Sequence, residues 1–176
     1  MRDEYNLIEN ILNKNKAHLG KHFDKYKNHV YRVFNLCLIL DSNQENVEKY
    51  AITSVFHDLG IWTNRTFDYL KPSISQAEKY LIDNNKELLV KEISLMIDMH
   101  HKRSKYKGDF EKTVENFRRA DWIDVTKGRM NFEVNKNDIE KITKEYPLLG
   151  FHKYLLVQTL KQFFKSPLNP LPMFKK

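Results

Sequence analysis

His29 precedes Val33 by four residues, Leu36 by seven and Leu40 by eleven, a spacing that turns its imidazole to the apolar side of a helix. Asp58 follows Val55 by three, Ala51 by seven and Val47 by eleven, His100 follows Ile97, Ile93 and Leu89 at the same intervals, and Asp121 follows Phe117 by four and Val114 by seven. Four polar groups, two of them carboxylates, therefore face inward. Each costs roughly 1–3 kcal/mol if buried without a partner. A hydrogen bond or ion pair explains any one of them taken singly, but that explanation must be repeated independently for each. One shared divalent cation satisfies all four, because imidazole nitrogen and carboxylate oxygen together suit Mn, Fe, Co, Ni or Zn better than Ca. His57 adds a fifth candidate. Adjacent helical residues point about 100° apart, so His57 and Asp58 reach one ion only where a helix is ending, and Gly60 is placed to end it.

Helical periodicity runs through the whole chain and must supply the frame for these groups. It begins with Tyr5, Ile8 and Ile11/Leu12 and is strongest over Tyr26, Val33, Leu36 and Leu40. Ser42-Asn43-Gln44-Glu45 reads as a capping box for a helix along Val47, Ala51 and Val55. Residues 61–73 read as a loop, and Ser75-Gln76-Ala77-Glu78 as a second capping box. Beyond Asp83-Asn84-Asn85, a helix carries Leu89, Ile93 and Ile97, and the basic stretch Lys102 to Asp109 connects it to another over Val114, Phe117 and Val125. Ile139 and Ile142 mark a short helix before Pro147, and Leu155, Leu160 and Phe163/Phe164 a last one. The expected architecture is all-α, a single-domain helical bundle over residues 1–165 around a metal site. Pro167, Pro170 and Pro172 mark residues 166–176 as an extended tail.

The strings Asn28-His29-Val30-Tyr31-Arg32-Val33, Phe56-His57-Asp58-Leu59-Gly60 and Arg119-Ala120-Asp121, in that order and together with Ile97-Asp98-Met99-His100-His101, resemble the HD-domain metal-dependent phosphohydrolase superfamily. The resemblance spans residues 18–126 and implies an HD-type all-helical fold that hydrolyses phosphomonoesters or phosphodiesters, often of nucleotides. It implies His29, His57, Asp58 and Asp121 as metal ligands. Some members place a further histidine after the His-Asp pair to hold a second metal; residues 61–99 contain none, so one ion is expected, with His100 and His101 as the residues able to recruit another. The glutamate that some nucleotidase members carry three residues after the aspartate is Ile61 here. A Gly-Tyr-Pro motif, typical of the cyclic-dinucleotide branch, is missing.

Phosphate-ester hydrolysis needs a nucleophile at neutral pH and neutralisation of charge on the leaving oxygen, and a divalent metal (Mn, Fe, Co, Ni, Zn or Mg) supplies both. Asp58 is then both ligand and acceptor of the water proton, and His100 the donor to the leaving group. Arg32, His101 and Lys102 are the candidate phosphate contacts, with Arg103, Lys105 and Lys107 funnelling anions. Asp124, one turn beyond Asp121, orients a ligand or forms an ordinary ion pair. Phe67, Tyr69, Trp62 and Trp122 flank the site and are available to stack on a base. Lys and Arg number 30 against 23 acidic residues, a net charge of +7, which suits a small anionic, phosphorylated substrate, nucleotide first. The lysines are dispersed and no nucleic-acid-binding motif appears, which argues against DNA or RNA. One cysteine, Cys37, excludes an internal disulfide. Neither a signal sequence nor a membrane span is recognisable, so a cytoplasmic enzyme is expected. A nucleotide phosphodiesterase and a non-catalytic, metal-containing nucleotide sensor are the competing readings.

Overall fold

The computed structural model describes residues 2–66, 68–165 and 173. The expected proline-containing tail, apart from Met173, lies outside the described residues. Among those described, every regular element is helical, and no helix is long and apolar enough to cross a membrane. The α-helices are α1 (Arg2–Lys14), α2 (Lys16–Leu19), α3 (Phe23–Leu40), α4 (Val47–Phe56), α5 (Gly60–Thr63), α6 (Leu70–Asp83), α7 (Val90–Met99), α8 (Glu111–Val125), α9 (Lys136–Glu145) and α10 (Phe151–Lys165).

The helix α3 is the axis of the bundle. It packs on α4 and α8 and also meets α9 and α10, which explains why residues on several of its faces are buried, from Tyr26 and Val30 to Phe34 and Cys37. Its end is fixed by Asp41, whose backbone turns extended (φ −140°, ψ 111°). The Asp41 carboxylate accepts from the Asn43 amide, the Asn46 side chain and the Tyr50 hydroxyl, tying the end of α3 to the start of α4. Asn43, rather than Ser42, supplies a cap, accepting from the Glu45 amide, and it caps the 3-10 turn Gln44–Asn46 that leads into α4. On the other side α7 joins α6 to α8, closing the core.

Two boundaries differ from the sequence reading. Helix α6 starts at Leu70, so Ser75 to Glu78 lie inside it. Pro72 falls in the first turn, where the missing N–H costs nothing, and Ser73 is drawn inward, its hydroxyl accepting from the Gly60 amide at 3.0 Å. Gly60 begins α5 instead of terminating α4 by a left-handed turn. It is small because a Cβ there would lie 2.6 Å from the Tyr69 carbonyl oxygen and 3.0 Å from the Ser73 hydroxyl. Gly60→Ala is therefore expected to push α6 away from the turn that carries His57 and Asp58. It should cost about 1–3 kcal/mol, as overpacking does, with loss of metal affinity; denaturant titration with and without metal measures both.

Candidate metal centre

Four helices deliver the proposed residues to one point. His29 comes from the middle of α3, and Asp121 and Asp124 from α8. His57 and Asp58 occupy the turn between α4 and α5, as the adjacent pair requires, and His100 and His101 the turn after α7. His29, His57, Asp58, His100 and Asp121 are all essentially sealed from solvent. His29 Nε2 and His57 Nε2 lie 2.9 Å apart. Asp58 Oδ2 is 3.6 Å from each of them, and Asp121 Oδ1 is 3.8 Å from His29 and 3.7 Å from His57.

The outer ring nitrogens decide what those inner atoms are. His29 Nδ1 donates to Asp124 Oδ2 at 2.7 Å, His57 Nδ1 to the Ser54 carbonyl at 2.8 Å, and His100 Nδ1 to the Ile97 carbonyl at 2.6 Å. A carbonyl or carboxylate oxygen accepts only, so each neutral ring keeps its hydrogen outside and turns an Nε2 lone pair inward. Two lone pairs facing each other at 2.9 Å repel unless a proton or metal ion lies between them. Asp58 Oδ1, Asp121 Oδ1 and His100 Nε2 are likewise buried with no hydrogen-bond partner. Buried polar atoms without partners call for an explanation, and a cation supplies one for all of them.

The charge states agree. Burial disfavours a charged His29, yet its bonds to Asp124 and Asp58 outweigh that and hold its pKa up at about 9. Burial, reinforced by His29 and His100 against the pull of Asp58, pushes His57 down to about 3. Asp58 is held well below the usual carboxylate range by His57, His100 and His29 in spite of burial, whereas burial and the repulsion of Asp58 raise Asp121. A positive charge is thus wanted at His29 and a second negative charge resisted at Asp121, the state of a ligand set without its ion.

Metal binding at neutral pH should displace the His29 proton. From pH 7 to about 9, the apparent affinity for Mn or Ni is expected to rise about tenfold per unit and then level off. Competition against a chelator across pH measures this, and a flat profile would remove His29 from the ligand set.

Around the first ligands stands a supporting layer. Arg32, expected to take a phosphate oxygen, is corrected by the structure. Its Nε and Nη2 donate to the two oxygens of Asp124 at 2.5 and 3.0 Å, and its Nη1 to the Tyr146 and Pro147 carbonyls. With its side chain 1% exposed, the guanidinium is committed to the carboxylate that aims His29. Phe151 of α10 stacks on a face of that imidazole, centroids 4.1 Å apart at 18°. Asp124 is buried and bonds His29 Nδ1, so it is not the exposed surface ion pair.

No protein-family model, curated protein or solved structure matches the chain. The site must be read from its own geometry. The donor atoms of His29, His57 and Asp121 lie within 4.8 Å of one another, and so do those of Asp58, His100 and His101. Asp58 joins the two groups, since its Oδ1 faces His100 Nε2 at 3.5 Å. His100, anchored like His57 through Nδ1, sits in the ligand layer. His101 Nδ1 is 3.9 Å from Asp121 Oδ2, and its Nε2 meets the Tyr69 hydroxyl at 2.5 Å.

Tyr69 and Phe151 are the site residues that the sequence reading missed or misplaced. Tyr69 was an aromatic flanker there, yet it is buried with its hydroxyl in the site. No polar residue on an apolar face marks either one. Lys102 is half-buried and its carbonyl accepts from Arg118. Of the basic residues expected to gather anions, Lys105 pairs with Glu111; near Asp121 on α8, Arg118 and Arg119 both pair with Glu115. Trp62 packs on Tyr26 at 4.5 Å as core; Phe67 lies outside the described residues.

Proposed function

We propose that the chain is a divalent-metal-dependent phosphohydrolase of the HD-domain kind, cleaving a phosphomonoester of a small metabolite, nucleotide first. The observation that carries this reading is the approach of His29 Nε2 and His57 Nε2 to 2.9 Å, framed by Asp58 and Asp121, each of which keeps one buried carboxylate oxygen without a hydrogen-bond partner. A mixed imidazole and carboxylate set suits Mn, Fe, Co, Ni, Zn or Mg, bound by His29, His57, Asp58 and Asp121. When bound, such an ion lowers the pKa of water and draws charge from phosphoryl oxygens.

The protein's own groups supply the rest. Asp58 has one oxygen on each side of its carboxyl group to spend: Oδ2 faces the two histidines, and Oδ1 is left to accept a proton. His100 Nε2, 3.5 Å from that oxygen, is placed to hold the proton next and release it toward a leaving oxygen. His101 and Tyr69, hydrogen-bonded to each other, border the site on the side of Asp121, and the pair offers a single donor, ring N–H or hydroxyl, to a substrate oxygen. Burial around the ligands excludes bulk water and strengthens each of these interactions.

The test is a panel of nucleoside monophosphates, sugar phosphates and phosphodiesters, assayed with each metal added back and with metal content measured by elemental analysis. Metal-dependent release of phosphate from monoesters is the expected result, with one ion per chain. Turnover of diesters alone moves the assignment to a phosphodiesterase, and binding without turnover moves it to a sensor.

A further inference from the structure

A cavity of about 390 Å³ lies away from the metal centre, and none of the proposed ligands lines it. Three parts of the chain enclose it: His18 and His22 from the segment between α1 and α3, Arg65 from the connection after α5, and Lys161 from α10. Its floor is the stacked pair Trp62 and Tyr154, rings 5.6 Å apart at 13°, with His22 against Tyr154 at 4.5 Å. No carboxylate lines it among the described residues. Arg65 and Lys161 are exposed and have no carboxylate partner there either.

Elsewhere in the chain, basic side chains such as Lys86, Lys91, Lys105 and Lys112 are matched with acidic ones. Two unmatched cations at one cavity repel each other, and Lys21 and Lys25 add to the same field. Burial first, and then Lys25 and Lys21, lower the pKa of His22, leaving a neutral ring able to hydrogen-bond. Arg65 is also held at φ 51°, a left-handed conformation that non-glycine residues seldom adopt and that recurs at ligand sites. Gln158, Gln162 and Thr66 complete the lining with neutral hydrogen-bonding groups.

We infer that this cavity is a second binding site, separate from the metal centre, for a small anion bearing a phosphoryl group. Arginine matches two phosphoryl oxygens in its fork and lysine adds a point charge, while His18 and the glutamines bind the remaining acceptors. The volume accommodates a phosphoryl group with a small organic body. The faces of the floor rings are already covered by one another, by His22 and by Tyr26, so the phosphoryl group and not a stacked base is the recognised part. Trp62 of the floor packs on Tyr26, whose ring lies 6.2 Å from that of His29.

Calorimetry on the full chain as purified tests the inference with two probes that resist hydrolysis, methylenediphosphonate and the phosphonate analogue of AMP. Wild type should show a saturable binding event that the double variant Arg65→Gln, Lys161→Gln weakens by at least about tenfold, with metal content unchanged. Both residues are exposed, so the fold is expected to persist, and circular dichroism checks it. The control Lys136→Gln, Lys141→Gln removes the same charge from an exposed part of α9 and should keep the event. Tighter binding of the AMP analogue assigns a nucleotide ligand, and tighter binding of the diphosphonate assigns a bare phosphoryl chain. Absence of the event in wild type, its persistence in the Arg65/Lys161 variant, or equal weakening by the control overturns the site.

Discussion

Asp58→Asn should abolish turnover while leaving a folded protein that still takes up metal. Asparagine keeps the size of the side chain and one coordinating oxygen on the His29 and His57 side. It replaces the other with an amide that cannot accept a proton, or with the two exchanged it loses the oxygen facing His100. Either orientation also removes the charge that holds the carboxyl group well below its ordinary pKa among three histidines. Loss of a proton acceptor in a concerted site commonly costs on the order of 10²–10⁴ in rate. Saturating metal should restore occupancy but not rate. His29→Ala makes the contrast, since that ring is assigned only to hold the ion and excess metal should return part of the activity. Rate, metal content and helicity measured on both variants decide the matter; an Asp58→Asn protein with full occupancy and wild-type kcat would remove Asp58 from the mechanism.

The sequence made the candidate site legible because its groups violate a pattern. A polar residue on an apolar helical stripe is visible without a structure, and His29, Asp58, His100 and Asp121 are all found buried together. The turn that lets His57 join Asp58 was readable from the adjacency of the two residues. Its cause was not, because Gly60 is required by the approach of the Tyr69 carbonyl, a contact across nine residues of chain that no local signal records. The capping box at Ser75 failed for a related reason: Ser-x-x-Glu occurs within a helix as readily as before one, and packing of α6 against α7 and α4 extends the helix back to Leu70. Arg32 shows the limit most plainly. One helical turn from a ligand, an arginine faces either substrate or a carboxylate, and only the position of Asp124 on another helix separates the two.

That Arg32–Asp124 pair leads to the second large effect, Asp124→Ala. The substitution removes the acceptor of the His29 Nδ1 hydrogen and both oxygens that face the Arg32 guanidinium. A buried guanidinium left without its carboxylate is expected to cost about 3–5 kcal/mol of stability, and a ligand histidine released from its anchor about 10–100-fold in metal affinity. The two losses have different causes, so they can be separated. Replacing the pair by apolar residues of similar volume, Arg32→Met with Asp124→Leu, removes the orphaned charge together with its partner, and such exchanges are often neutral for stability. The double variant should therefore recover most of the stability lost in Asp124→Ala while its metal affinity stays low, because nothing then fixes the tautomer and orientation of His29 except the stacked Phe151 ring. Denaturant titration of the metal-free proteins reads the first quantity and chelator competition the second. Recovery of metal affinity along with stability would mean that Asp124 acts on the site only by neutralising Arg32, and that the ring of His29 is held by packing alone.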